Sequence, residues 1–174
     1  MNPVESIILW LQETMAYLPD LVQPLIVALA GMIPFVEGEI ASMLGVWAGM
    51  HPVVAFIAAV AGNFLSVLVV VVFGARIREA IVARRARRGE TVVVEQAKPE
   101  SKGRIRLKKF LVRFGVPGAS ILGPLAMPTQ FTSAILVSSG VSKQWVLLWQ
   151  AVAIVIWTTV TTVSASLALL LLVG

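Results

Sequence analysis

The sequence predicts an all-α integral membrane protein of two inverted repeats, each a Pro/Gly-broken re-entrant helical hairpin followed by a transmembrane helix. Three observations support this. The 174-residue chain is 58% hydrophobic and 13% charged, with a mean hydropathy of +0.91, whereas soluble domains are about 45–50% apolar and about 25% charged. Residues 53–75 and 144–173 are uncharged and long enough to cross a bilayer. Each follows an apolar block that proline and glycine interrupt.

The basic residues are concentrated in one segment, and this determines the predicted topology. Thirteen of the 14 Lys and Arg residues and four of the nine acidic residues lie between Arg76 and Arg113, a net charge of +9, and the rest of the chain carries −4. The positive-inside rule assigns such a segment to the cytoplasm. We therefore expect a multi-pass protein of the cytoplasmic membrane with a basic cytoplasmic linker, residues 76–109. A basic chain is also typical of nucleic-acid binding, but membrane topology explains the asymmetry and we expect no nucleic-acid partner.

The N-terminal segment, residues 5–18, is amphipathic and too short to span a bilayer. It predicts an interfacial helix with Trp10 and Tyr17 near the lipid headgroups. The alternative is that this segment begins a first membrane segment displaced by Pro19. Both interpretations place these acidic, Lys- and Arg-free residues on the non-cytoplasmic side.

The first apolar block, residues 21–50, contains Pro34 and the triplet Glu37-Gly38-Glu39. A straight helix exposed to lipid would be costly here, because a charge at the bilayer centre costs roughly 2.5–3.5 kcal/mol on insertion scales. A re-entrant hairpin broken at Pro34 and Gly38 avoids this cost, since its turn lies in protein or water. Residues 53–75 then form the first full span, ended by Arg76. Gly62 at mid-depth predicts close helix packing.

The second half repeats this order. Residues 110–142 predict a second re-entrant hairpin, broken at Gly123, Pro124 and Pro128, and residues 144–173 predict the last span. At an offset of 91, residues 37–42 align with residues 128–133 and Gly49 aligns with Gly140. The first span runs outside to inside and the second inside to outside, so the repeats are inverted. Interrupted segments at matching positions of inverted repeats point to a secondary transporter with a site near the midplane.

The candidate substrate or proton site consists of Glu37 and Glu39 from one hairpin and Thr129 and Gln130 from the other. Ionisable residues within a membrane are functional by default, and a carboxylate pair in an apolar site can bind and release a proton. The alternative for the glutamates is a helix cap at the outer interface, and for Thr129 and Gln130 it is hydrogen bonding within the turn. Arg113 is either a contact for an anionic headgroup or an interfacial anchor.

Chemistry of other kinds is not indicated. The chain has no Cys and one His, so thiol chemistry is excluded and a histidine-based metal site is not expected. No nucleophile–His–acid set and no Gly-rich phosphate loop is present. We therefore expect neither an enzyme nor a cofactor.

Several short motifs resemble the small multidrug export (efflux) protein family. In the second half they are residues 114–118 (FGVPG), 123–125 (GPL), Gln130, 140–143 (GVSK), 147–150 (LLWQ) and Trp157, and in the first half residues 33–40 (IPFVEGEI). The resemblance covers about residues 24–160. It implies two opposed re-entrant hairpins and a transport role.

A more distant resemblance is to the DedA-like membrane proteins, for which it implies flipping of polyprenyl-phosphate lipid carriers driven by an ion gradient. Those proteins carry two arginines beside the proline of the second hairpin. This chain has none there, and the nearest is Arg113. A phosphate-binding mechanism therefore lacks its expected cations.

The leading hypothesis is a small secondary transporter of an amphiphile, either a cationic drug-like compound or a polyprenyl-phosphate-type lipid carrier, coupled to an ion or proton through Glu37 and Glu39. The alternative is a non-transporting membrane subunit that scaffolds a larger membrane protein complex. The expected partners are the lipid bilayer, the amphiphilic or lipid substrate, and a second copy of the chain or another membrane protein.

Overall fold

The computed structural model describes residues 3–87 and 115–173, and the regular structure of these residues is entirely helical. This confirms the all-helical part of the predicted fold. The first half contains α1 (Pro3–Ala16), α2 (Val22–Gly31), α3 (Glu37–Trp47) and α4 (Pro52–Arg87). The second half contains α5, described over residues 115–122, a 3-10 turn (Gly123–Leu125), α6 (Thr129–Ser138) and α7 (Lys143–Val173). Predictions for residues 88–114, which include Arg113 and most of the basic linker, lie outside the described residues.

Helices α4 and α7 are the two long helices of the described chain. Each contains a stretch long and apolar enough to cross a membrane, Pro52–Ile77 with 26 residues and Lys143–Leu171 with 29 residues. Both helices expose large apolar side chains, among them Ile57, Leu65 and Phe73 on α4 and Leu148, Val160 and Leu171 on α7. By length and composition, these two helices are candidate membrane spans.

The apolar block at residues 21–50 folds as two short antiparallel helices. Helices α2 and α3 have 10 and 11 residues, so each is about 15–17 Å long at 1.5 Å per residue, half of a hydrocarbon core of about 30 Å. Pro34 lies in the turn between them, where the sequence predicts a break in the helix. Phe35 and Glu37 have φ of +72° and +50°, a left-handed conformation that bulky residues rarely adopt.

The sequence predicts that Gly38 is part of the break, but it lies within α3. It is the second residue of α3, buried, and not part of the break. A Cβ atom at this position would collide with the Thr158 hydroxyl of α7. The absence of a side chain therefore lets α7 approach α3, whereas the turn itself is made by residues 32–36.

In the second half, the break extends from Gly123 to Pro128. Gly123 and Pro124 begin the 3-10 turn, and Pro128 directly precedes α6 with φ −52° and ψ 146°. The fixed φ of proline suits this extended position before a helix. Helix α6 has 10 residues, one fewer than α3.

The two halves share two element bounds at the offset of 91. Helices α4 and α7 begin at residues 52 and 143, and α3 and α6 end at residues 47 and 138. Both short helices end in the same Schellman motif. In α3, Gly49 N–H donates to Val46 O and Met50 N–H to Gly45 O, and in α6 the corresponding bonds run from residue 140 to 137 and from 141 to 136. The element order therefore repeats along the chain.

Replacing the glycine that follows α3 or the one that follows α6 with alanine should destabilise the protein. Gly49 and Gly140 have φ of +90° and +96°, and an L-residue in the left-handed region costs roughly 1–2 kcal/mol. We expect Gly49→Ala and Gly140→Ala to lower the free energy of unfolding by similar amounts, measured by denaturant titration in detergent micelles. A loss at one position alone would contradict the equivalence of the two caps.

The chain divides into two compact units: Met1–Ser66 with Val152–Gly174, and Val67–Ala151. The first unit has a core of small and medium apolar side chains, including Val27, Ala41, Val46, Ala55 and Ala59. Helix α1 joins this core through Met15, and its end is held by Gln23, whose Nε2 donates to Met15 O and Leu18 O at 3.2 Å each. Buried apolar residues of the second unit include Val67, Val71, Ala119, Leu136 and Val146.

Candidate functional site

The glutamate pair lies in the first turn of α3, within the first unit. Glu37 is 6% exposed. Both carboxylate oxygens of Glu39 are buried; the backbone N–H of Glu39 stabilises their charge, and no side chain of the described residues donates a hydrogen bond to them. Burial of an unpaired charge costs several kcal/mol, while the dipole at a helix N-terminus returns about 0.3–1 kcal/mol at the surface and up to about 2 kcal/mol in partly buried positions. A capping role therefore offsets only part of the cost of burying Glu39, and it stays the alternative to a functional role.

The first unit is acidic, and this bears on how the charge of Glu39 is compensated. Residues 1–66 and 152–174 contain five acidic residues and no Lys or Arg. No Lys or Arg side chain of this unit is present to neutralise Glu39. A proton or a bound cation is then the natural counter-charge for the carboxylate within the unit.

A polar seam between α3 and α7 holds the first turn of α3 in place. Gly38 contacts Thr158, the hydroxyls of Ser42 and Thr161 are 3.4 Å apart, and Trp47 Nε1 donates to Ala165 O at 3.3 Å. The residue numbers rise together on both helices, so the two helices run parallel along the seam. The seam brings a row of α7 hydroxyl groups to the glutamate-bearing helix.

The second predicted pair lies in the second unit, at the start of α6. Thr129 is fully buried and Gln130 is 5% exposed. The Ser133 hydroxyl donates to Thr129 O at 2.7 Å. The glutamates and this pair thus belong to different units, and their meeting at one site stays a prediction.

The second unit buries more polar side chains than the sequence predicted. Ser120, Thr132 and Gln150 are fully buried as well. Gln150 Nε2 donates to Ser120 Oγ across a long 3.5 Å, while Gln150 Oε1 and Thr132 Oγ1 have no partner among the described residues. A glutamine within an otherwise apolar span was the signal in the sequence that could have identified Gln150.

The described residues line two cavities, one in each unit. One, of about 370 Å³, lies in the second unit beside the turn from α6 to α7 and is lined by Ala75, Val137, Gly140, Val141, Ser142, Lys143 and Gln144. The other is an open apolar groove of about 320 Å³ in the first unit, between the start of α4 and the end of α7. Thr159, Thr162 and Ser166 lie along this groove, but their hydroxyls donate to their own helix. The groove therefore presents an almost wholly apolar surface.

The described residues contain no group of three or more His, Asp or Glu side chains arranged to hold a metal ion. No protein-family model, curated protein or solved structure matches this chain. The resemblance to the small multidrug export proteins therefore stays a prediction.

Proposed function

We propose that this protein is a small secondary transporter that moves an amphiphilic substrate across the cytoplasmic membrane, with ion or proton coupling through Glu39 and Glu37. The observation that carries the proposal is the buried carboxylate of Glu39 in an apolar hairpin, to which no side chain of the described residues donates a hydrogen bond. Ionisable residues within a membrane mark substrate, ion or proton pathways by default. The charged form of a buried carboxylate is unfavourable. Such a carboxylate is therefore suited to bind a proton or another cation and to release it again in each transport cycle.

The shape of the hairpins supports a membrane location. Helices α2, α3 and α6 are half the length of a span and stand beside two helices long enough to cross a bilayer. Paired half-length helices joined by proline-containing breaks are the arrangement expected for a discontinuous site within a transporter. The shared element bounds at an offset of 91 support the internal repeat, and inversion follows from the charge-based topology.

The electrostatics favour a cationic amphiphile over an anionic lipid carrier. The first unit is acidic without any Lys or Arg, and a phosphate headgroup would be repelled by Glu39. The apolar groove between α4 and α7 offers a surface for the hydrophobic part of such a substrate. A polyprenyl phosphate is the alternative that the experiment below tests.

Native mass spectra of the purified protein in mild detergent should show a bound amphiphile. We expect added tetraphenylphosphonium, a lipophilic cation, to bind wild type and to bind Glu39→Gln at least tenfold more weakly. Glu13→Gln is the matched control, because Glu13 is exposed on α1. Equal binding by wild type and Glu39→Gln would contradict the proposal. A polyprenyl phosphate that co-purifies with wild type would change the substrate to a lipid carrier.

A further inference from the structure

One basic residue stands apart from the basic segment of the chain. Of the 14 Lys and Arg residues, Lys143 alone lies outside residues 76–113. It begins α7, is half-buried, and lines the cavity of about 370 Å³ in the second unit. The other described residues that line this cavity are uncharged, and Ser142 and Gln144 are its polar neighbours. Within the described part of the chain, the cavity therefore carries one positive charge.

The cavity lies at the ends of both candidate membrane spans. Ala75, its lining residue on α4, is two residues from the end of the apolar stretch Pro52–Ile77. Lys143 is the first residue of the apolar stretch Lys143–Leu171. Because stretches of this length cover the hydrocarbon core of a bilayer, their ends lie at the depth of the lipid headgroups. The cavity is therefore located where a headgroup can enter it.

The surface of α7 next to the cavity is apolar and exposed. Leu148 stands four residues after Gln144, so it lies on the same face of the helix, one turn further into the apolar stretch. Its side chain is 52% exposed. Trp145 is also exposed, as is typical of aromatic residues at a membrane interface. A molecule with a charged head in the cavity can therefore lay an apolar chain on α7.

We propose that the cavity beside Lys143 binds the phosphate headgroup of an anionic phospholipid, with phosphatidylglycerol as the lipid to test. Basic pockets between membrane helices bind such headgroups, and the volume lies within the range of about 300–1,000 Å³ of small-molecule sites. The site goes beyond the transport proposal and stands without it, because it uses neither Glu37 nor Glu39 and lies in the other unit.

An anionic lipid fits this site better than other phosphate compounds do. A soluble phosphate monoester uses the charge of Lys143 but leaves the exposed apolar surface at Leu148 without a partner. A zwitterionic lipid brings its own ammonium group, which Lys143 repels. The positive end of the α7 dipole adds to the potential of Lys143 at the same place. A net negative headgroup on an apolar chain is the chemistry that uses all of these features.

Lipid titration followed by native mass spectrometry tests the site in the purified full-length protein. We expect one saturable phosphatidylglycerol per chain, bound at least tenfold more tightly than phosphatidylethanolamine with the same acyl chains. Lys143→Gln should weaken this binding at least fivefold, whereas Lys143→Arg keeps the charge and should bind within twofold of wild type. Arg76→Gln is the matched control. Arg76 is exposed at the same end of α4, its guanidinium is 6.0 Å from the centroid of the Phe73 ring, and it does not line the cavity, so this variant should also bind within twofold.

Three results would overturn the lipid site. The first is equal affinity of wild type for the two lipids, and the second is equal weakening in Lys143→Gln and Arg76→Gln, since binding would then follow interfacial charge in general. The third is displacement of phosphatidylglycerol by an excess of glycerol phosphate, which would make the ligand a soluble phosphate. The transport proposal has its own assay, because Lys143→Gln should bind tetraphenylphosphonium as wild type does. Loss of that binding in Lys143→Gln would contradict the separation of the two sites.

Discussion

Replacing Glu39 with glutamine should abolish coupled transport and at the same time stabilise the protein. In proteoliposomes loaded with tetraphenylphosphonium, we expect ion-driven efflux by Glu39→Gln to fall at least tenfold relative to wild type. The reason is that glutamine fills the same space but cannot alternate between a charged and a neutralised state. Unfolding in detergent at pH 8, without added cations, should show a gain of about 0.5–2 kcal/mol, because a buried unpaired charge is removed.

Transport and stability are expected to change in opposite directions in Glu39→Gln. The two measurements together therefore distinguish a functional role of Glu39 from a structural one. A carboxylate that merely held the fold together would lose stability on substitution, and transport would fall only because less protein folds. Glu13→Gln removes an exposed carboxylate from α1 and should leave both flux and stability within experimental error. Loss of stability in Glu39→Gln would contradict the assignment of Glu39 as a functional residue held at a cost to the fold.

Replacing Gly62 with alanine should strongly destabilise the protein. A Cβ atom at Gly62 would overlap the carbonyl oxygen of Ala28, a backbone atom that cannot rotate away. Helices α2 and α4 would have to separate, and overpacking of this kind typically costs roughly 1–3 kcal/mol, occasionally more. We expect a markedly lower melting temperature and loss of the monodisperse peak in size-exclusion chromatography.

Gly74 is the matched control for this test. It lies in the same helix, and a Cβ atom there would meet nothing within 4 Å. Gly74→Ala should be neutral or stabilising by up to about 1 kcal/mol, the difference in helix propensity between the two residues. If Gly62→Ala and Gly74→Ala behaved alike, the close crossing of α2 and α4 at Gly62 would be wrong.

The close approach at Gly62 was predictable from sequence, whereas the contact at Gly38 was not. A glycine in the middle of a long apolar span has few explanations other than helix contact. Gly38 stands beside Pro34 in the sequence, so it was interpreted as part of the break. Only the position of Thr158, 120 residues away, shows that Gly38 makes room for a neighbouring helix.

The same distinction applies to the candidate sites. Glu37 and Glu39 stand out in the sequence because charges are rare in apolar blocks. Lys143 stands out as a lone basic residue, but nothing local shows that it lines a cavity. That cavity exists only because Ala75 of α4 and the start of α7 line it together, and packing of that kind is a property of the folded chain.

The sequence by itself determined the helical class, the two long apolar helices and the repeated break, because hydropathy, charge and proline act locally. The tertiary structure decided which faces are buried, which hydroxyls are satisfied within their own helix, and that α3 runs parallel to α7 along the polar seam. These depend on contacts between residues far apart in the chain. Such contacts form only when the hairpin packs against the last helix, so they leave no periodic pattern in either segment.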